Sequence, residues 1–567
     1  MHLIESLSHF MKMVPVVNEV ATTIATEYFN EANLQSGKKA LALVTAGPGL
    51  TNAITGIAGA YLESRELLII GGQVKTSDLS DGSVRQSGIQ EINGIEIVSG
   101  ITCRSVRISS PVSKDEFQSL ITFQKLERKG PIFLEFCLDV QAKNVNPHFS
   151  TSSFPKEFAN HKVVSEDLNK VSEAVRLLND SKRPVFLLGS GFNIHKISKL
   201  LELINKLGIP IMTSWNAADR VAHDFPFFFG RPNNWGQRSS NIILQQSDLL
   251  IAAGTRLGFQ STGFNFEEFL PVGKLIHIDI DENEIYKGHP SVELGIVADA
   301  CDTALRILND TTINLAWLEW VEFCKEVSGL VPLLDPENTA SIEYVEIFKF
   351  VNSLSTLIGD NDIIIPGSSG GGSTVTMQVI EQKGLPQRII TNKGMASMGY
   401  GICGAIGAAF SGKNRVWLFD GDGSLTQNSQ EFGVYAQFNL DIKAFIISNN
   451  GYASIRSTQK NYFSGNYIGC DPSTGLNLPN WKLLADAYGI DHFRVNVQEP
   501  LSTALLSFLS KKGPGIIEIP VDPNQTFYPK ITSRISESKG MESNPLHLMT
   551  PELSPEIAAK VFRFISH

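Results

Sequence analysis

Two short segments carry the residue types for holding a metal bound to a diphosphate. The first is Phe419-Asp420-Gly421-Asp422-Gly423-Ser424. The second is Ser448-Asn449-Asn450-Gly451-Tyr452, which sets Asn449 27 residues after Asp422. Asp422 offers a carboxylate, Asn449 an amide oxygen and Gly451 a backbone carbonyl. A small, hard cation such as Mg²⁺ takes oxygen ligands of this kind, usually one or two carboxylates with substrate phosphates and water. Gly421 and Gly423 let the backbone approach a ligand closely, and the N–H groups of Gly423 and Ser424 open a helix that can hold phosphate oxygens. Either segment alone reads as an ordinary turn; the pair at this spacing, each after an apolar run, predicts a cofactor site.

The positioning elements follow from the flanking sequence. Arg415–Phe419 and Ile442–Ile447 read as buried strands, with a helix from Gln430 to Phe438 between them. In a parallel sheet this unit puts Asp422 and Asn449 at neighbouring strand ends on one edge, where ligands bind. Gly367-Ser368-Ser369-Gly370-Gly371-Gly372-Ser373, after a strand at Asp362–Ile365, reads as a second anion cradle. Thr45-Ala46-Gly47-Pro48-Gly49-Leu50-Thr51-Asn52 is a close-approach turn between a strand and a helix.

The chain has 567 residues, too many for one core, with 42% hydrophobic and 19% charged residues and a net charge of −10. Length and composition predict a soluble globular protein of about three domains, and short apolar runs alternating with helical stretches read as three Rossmann-like, parallel-sheet α/β domains. The first spans 1–150, with strands at Ala40–Val44, Leu67–Ile70 and Ile132–Phe136. The second spans 163–330, with strands at Pro184–Leu188, Leu249–Ala253 and Lys274–Asp279. The third spans 340–530 and a tail 531–567, ending in a short amphipathic helix. Asn144–Lys162 and Pro332–Asn338 read as linkers. The absence of a basic cluster speaks against a nucleic-acid partner. No apolar run reaches the ~18 residues of a membrane helix, and Met1-His2-Leu3-Ile4-Glu5 lacks a signal peptide's features. The six cysteines have no Cys-x-x-Cys pair and read as reduced core residues, so the expected location is cytoplasmic.

The Gly-Asp-Gly segment with Asn449 after it resembles the signature of enzymes that use thiamine diphosphate (ThDP). The resemblance covers nearly the whole chain and implies the pyrimidine-binding, central and diphosphate-binding domains of that fold. It implies that Asp422, Asn449 and the Gly451 carbonyl hold Mg²⁺, with Gly421, Gly423, Ser424 and Tyr452 around the diphosphate. Val14-Pro15-Val16-Val17-Asn18-Glu19, read as a strand ending in a carboxylate, resembles the segment of the catalytic glutamate. Glu19 is therefore the expected acid beside the aminopyrimidine, shielded from water. Gln90-Glu91 resembles the family's Gln-Glu pair, with Gln90 facing the substrate. Ser397 and Met398, in Met395-Ala396-Ser397-Met398-Gly399, match the loop that holds the pyrimidine and bends the cofactor, a proximity device.

Within the family the chain looks closest to acetolactate synthase, and especially to the acetolactate-synthase-like enzymes of nucleotide-sugar clusters. Val84-Arg85-Gln86, Tyr452–Gln459 and Asn544–Pro551 carry that likeness. The implied reaction is decarboxylation of a 2-oxo acid such as pyruvate with transfer of the acyl-anion unit to a second carbonyl. The acceptor is either a second 2-oxo acid or a keto-sugar nucleotide. A ThDP-dependent decarboxylase or oxidase and a non-catalytic paralogue are the alternatives. A homodimer or homotetramer is implied, because the family builds each site from Glu19 of one subunit and the metal motif of another. FAD is a further implied cofactor: Gly189-Ser190-Gly191, Gly254-Thr255-Arg256 and Asp279 read equally as dinucleotide contacts or as plain strand-end turns. Four departures stand out: Ser448 where the family has Asn, Asn18 where it has His, Tyr28 where it has Gly, and no substrate-sorting Trp near Thr458. The family's first strand and Gly-rich loop find no counterpart before Met1, so reduced activity is expected of this form.

Overall fold

The computed structural model describes residues 2–123, 128–144, 167–412, 415–535 and 541–565. Most of its strands are short β-branched and aliphatic runs buried on both faces, as parallel strands covered by helices must be; the strands at 104–108 and 491–494 are partly exposed. The first domain holds β1 (Leu41–Val44), β2 (Leu67–Gln73), β3 (Arg104–Ile108) and β4 (Pro131–Cys137), in the order β1-β2-β4-β3. The second holds β5 (Pro184–Leu188), β6 (Ile211–Thr213), β7 (Leu249–Ala253), β8 (Lys274–Asp279) and β9 (Leu294–Val297), in the order β6-β5-β7-β8-β9. The third holds β10 (Ile363–Pro366), β11 (Arg388–Ile389), β12 (Val416–Gly421), β13 (Ile442–Ser448), β14 (Asp491–Arg494) and β15 (Gly515–Pro520), in the order β11-β10-β12-β13-β15-β14. Every pairing in these three sheets is parallel. This is the expected three-sheet α/β architecture.

One reading needs correction, and two others are refined. Val14–Asn18 is not a strand: Pro15 lacks an N–H, no neighbouring strand pairs with the segment, and it runs as extended chain into a helix cap. The expected helix at Gln430–Phe438 is present as an α-helix at Phe432–Gln437, with a tight 3₁₀ turn at Thr426–Glu431 leading into it. Pro332–Asn338 is a pinned connection, with Asp335 bonded to Arg238 and the Asn338 amide donating to the Tyr528 carbonyl. The other expected linker lies outside the described residues beyond Asn144.

Three helices decide where the site residues fall: α1 (Glu19–Ala32), α2 (Pro48–Leu62) and α3 (Tyr400–Phe410). Helix α1 follows the first domain's start in sequence, yet Ala21, Ile24, Ala25 and Tyr28 join the core of the third sheet. It packs antiparallel on glycine-rich α3. A Cβ on Gly404 would lie 2.7 Å from the Tyr28 ring, and one on Gly407 only 1.8 Å from the Ala25 carbonyl oxygen. Tyr28 therefore fills space that Gly404 vacates. Gly407→Ala is expected to force the helices apart and cost about 3 kcal/mol, read as a lower urea midpoint; an unchanged midpoint would refute this packing account.

The domain seam is polar. Buried Arg65 donates to Glu27 at 2.6 Å and to the Thr391 carbonyl at 2.7 Å, and the Tyr400 hydroxyl also donates to Glu27. Burial pushes the Glu27 carboxyl up although Arg65 opposes it. Arg388 bonds Asp219 of the second domain and donates to the Glu31 carbonyl at the end of α1. Breaking one partner of such a buried set strands a charge, at a cost of about 3–5 kcal/mol.

Candidate active site

Asp422 and Asn449 emerge at adjacent strand ends, because β12 and β13 pair with Gly421 opposite Ile447. Burial pushes the Asp422 carboxyl up to about 6, which is the cost a nearby cation would relieve. Asp422 accepts from the N–H groups of Gly423 at 2.7 Å and Gly451 at 3.2 Å. Asn449 Oδ1 is buried and has no hydrogen-bond partner. An orphaned amide oxygen beside a strained carboxylate fits the oxygen preference of Mg²⁺. Gly451 sits at φ 126°, and a Cβ there would fall 2.3 Å from the Cys470 carbonyl oxygen, so only glycine closes this turn.

The glycine-rich cradle meets the same edge. Ser369 Oγ accepts from the N–H groups of Gly372 and Gly421, joining the 367–373 turn to the end of β12. A Cβ on Gly367 would lie 2.2 Å from the Asp420 carboxyl carbon. Ser368 is half-buried on this turn. Gly423 packs under the Tyr452 ring, 2.5 Å from where its Cβ would be. The Gly399 N–H donates to Ser424 Oγ at 3.1 Å, which hangs the loop of Ser397 and Met398 over the strand ends. Both residues are half-buried.

The first-domain residues form a second group. Asn52, in the first turns of α2, donates to Glu19 Oε2 at 3.0 Å. Gly47 has φ 61°, and a Cβ there would lie 2.3 Å from the Gln90 carbonyl oxygen. Pro48 opens α2 with no N–H to leave orphaned. Gly49 rests on Thr45, 2.8 Å from its methyl by the same measure. Gln90 itself takes the left-handed conformation at φ 59°, a strained placement of the kind found at ligand clamps. Glu91 is the anchor of that loop: its carboxylate accepts from the N–H groups of Ser80, Ser87 and Gly88. Asn18 caps α1 by accepting from Val20 N–H at 3.0 Å, which explains the residue without a catalytic role.

Within one chain the two groups do not meet. Antiparallel packing sets the start of α1 near the end of α3, so roughly 15 Å of helix separates Glu19 from the loop at Gly399. Glu19 is only half-buried; Val17, two residues before it, is 62% exposed, and Ile89, next to Gln90, is 89% exposed.

Four side chains that sequence reasoning missed build this site. Glu431, fully buried, accepts from the N–H groups of Val17 at 3.2 Å and Asn18 at 3.0 Å, fixing the approach to Glu19. Asp420, pushed up to about 6 by burial, accepts from Ser424 Oγ at 2.9 Å. Glu63 and Lys393 flank the loop of Met398. Asp420 lay inside the motif already singled out; Glu63 and Glu431 carry no local signal, since their cross-domain partners are 153 to 414 residues away, and Lys393 bonds Ser373, 20 residues before it in sequence.

In the second domain, Gly191 N–H donates to the Gly254 carbonyl at 3.0 Å, and a Cβ on Gly189 would fall 1.9 Å from the same oxygen. Backbone packing accounts for these glycines without a dinucleotide. Asp279 closes β8 next to buried His277. Among the described residues no helix is long and apolar enough to cross a membrane.

Three family models match this chain. The N-terminal TPP-binding domain of the thiamine pyrophosphate enzymes matches residues 1–97, their central domain residues 171–307 and their C-terminal TPP-binding domain residues 369–519. The acetolactate synthase large subunit of Porphyra purpurea is 28% identical, over 93% of this chain and 87% of that protein. The acetolactate synthase isozyme 1 large subunit of Escherichia coli is also 28% identical, over 87% and 85%. A probable acetolactate synthase large subunit of Methanococcus aeolicus is 27% identical, over 86% and 82%. The first match contains Glu19 and Gln90 and the last Asp422 and Asn449, so both halves of the described site fall within these matches and the chain belongs to the thiamine pyrophosphate enzyme family.

Proposed function

We propose that the chain is an acetolactate synthase-like carboligase: it decarboxylates a pyruvate-like 2-oxo acid and joins the remaining unit to a second carbonyl, with ThDP and Mg²⁺. The observation that carries this reading is the unpartnered, buried Asn449 Oδ1 beside Asp422 at the edge between two parallel strands. When bound, ThDP supplies the electron sink for loss of CO₂. Asp422, Asn449 and the Gly451 carbonyl would hold the Mg²⁺, and the Gly367–Ser369 turn and Ser424 would take the diphosphate. Met398 would support the cofactor's rings. Glu19 would hold a proton at its carboxylate beside the pyrimidine ring, and Gln90 would orient the substrate.

A second copy of the chain completes each site in this reading. The roughly 15 Å between Glu19 and the Met398 loop within one chain supports it, as does the exposed apolar surface around Val17 and Ile89. The acceptor is a second 2-oxo acid, in line with the names of the relatives; a keto-sugar nucleotide is the other acceptor to test. FAD has no assigned role, since packing explains the second-domain glycines.

The test is CO₂ release from pyruvate by the purified chain with ThDP and Mg²⁺, with products identified. A coupled C–C product dependent on both cofactors supports carboligation. Free aldehyde or a carboxylic acid as the sole product would make the chain a decarboxylase or oxidase, and no turnover by folded protein would refute the catalytic reading.

A further inference from the structure

The loop that carries Ser397 and Met398 is entered at Lys393 and Gly394. Both of their backbone N–H groups donate to one oxygen, Glu63 Oε1, at 2.5 and 2.6 Å. Glu63 is the residue that ends α2, so a first-domain carboxylate grips a third-domain loop. Its other oxygen accepts from Asn216 Nδ2 of the second domain. Glu63 therefore ties all three domains together at the loop's entrance. Gly394 fits against α2 so closely that a Cβ would lie 2.9 Å from the Leu62 Cβ.

Other bonds also hold the loop, among them Asn428 Nδ2 donating to the Gly399 carbonyl at 3.0 Å. Met395 N–H donates to Asn392 Oδ1 at 3.1 Å, and Gly399 N–H donates to Ser424 Oγ at its exit. Lys393 turns away beneath the loop, donating to Ser373 Oγ at 3.3 Å with its ammonium 5.0 Å from the Trp215 ring centre. The same helix α2 starts at Gly47–Asn52, beside Glu19, and spans about 22 Å to Glu63. One rigid rod thus carries first-domain site residues at one end and the loop clamp at the other.

We infer that Glu63 is a positioning residue: it fixes the entrance of the 393–399 loop so that Ser397 and Met398 are already in place when the cofactor arrives. The inference rests on the reading above that this loop receives ThDP. A loop held in its bound shape is spared the ordering cost at binding, and affinity gains accordingly.

The test compares wild type, Glu63→Ala and Glu63→Gln in two measurements. One is calorimetric titration of ThDP into Mg²⁺-loaded protein; the other is amide hydrogen exchange across 393–399 without cofactor. Glu63→Ala is expected to weaken ThDP binding about 10-fold or more and to speed exchange at 393 and 394. Glu63→Gln is expected to stay within about 3-fold of wild type. Its Oε1 keeps both N–H partners, and Asn216 turns its amide so that Oδ1, buried and unpartnered, accepts from the new Nε2. Wild-type affinity in Glu63→Ala overturns the inference, and so does a Glu63→Gln as weak as Glu63→Ala. If Glu63→Ala does not fold, Glu63→Asp, one methylene too short to span both N–H groups, replaces it with the same expected loss. A wild type that binds no ThDP would overturn the cofactor reading instead, and the exchange rates would still show separately whether Glu63 holds the loop.

Discussion

Glu19→Gln is expected to lower turnover of a 2-oxo acid by about 10² to 10⁴-fold, the range attributed to a positioned general acid–base group. The substitution keeps size and polarity and removes only the exchangeable carboxyl proton. Asn52 Nδ2 donates to Glu19 Oε2, and a glutamine oxygen can still accept that bond. Glu431 continues to hold the backbone of Val17 and Asn18, so the side chain stays where it is. ThDP affinity and thermal midpoint should therefore change little while turnover collapses. If turnover in Glu19→Gln stays within about 3-fold of wild type, proton transfer is not its task.

Asp422→Ala is expected to act on binding instead. It removes a carboxylate that accepts from Gly423 and Gly451 N–H and that in the proposed reading is a Mg²⁺ ligand. The Mg²⁺-dependent part of ThDP affinity should fall by about 100-fold or more, beyond what outer-sphere changes at metal sites cost. The substitution also relieves a buried carboxylate, since Asp422 is pushed up to about 6 by burial. The cofactor-free protein should accordingly be as stable as wild type, or more so. Loss of ThDP affinity together with a lower midpoint would mean that Asp422 is structural. Retained Mg²⁺-dependent affinity would remove it from the metal site.

The sequence was most legible where one local unit builds both the element and the site. β12, its glycine turn and β13 lie within 33 residues from Val416 to Ser448, and Asp422 and Asn449 sit at their ends. The cores of β1, β2, β4, β5, β7 and β8 were readable for a related reason: each is a short apolar run, largely buried on both faces except in edge strand β1, where half-buried and buried positions alternate. β3 was not, since Arg104-Ser105-Val106-Arg107-Ile108 alternates polar and apolar residues at a sheet edge. Val14–Asn18 misled because an apolar run proposes a strand but cannot supply a partner. Glu431 and Glu63 were invisible for a different reason. A carboxylate that grips backbone N–H groups of another domain leaves no pattern in its own neighbourhood, and only the fold brings it there.

The separation of Glu19 from the Met398 loop in one chain makes the two-chain site the account's central claim. Co-expression of Glu19→Gln and Asp422→Ala chains, each inactive alone, tests it most directly. A mixed dimer has one site damaged twice and one site with Glu19 and Asp422 both intact. Random assortment in a two-fold dimer then predicts recovery of about a quarter of wild-type activity. No recovery from a mixture shown to contain mixed dimers would contradict the account, because Glu19 and Asp422 would then have to serve within a single chain.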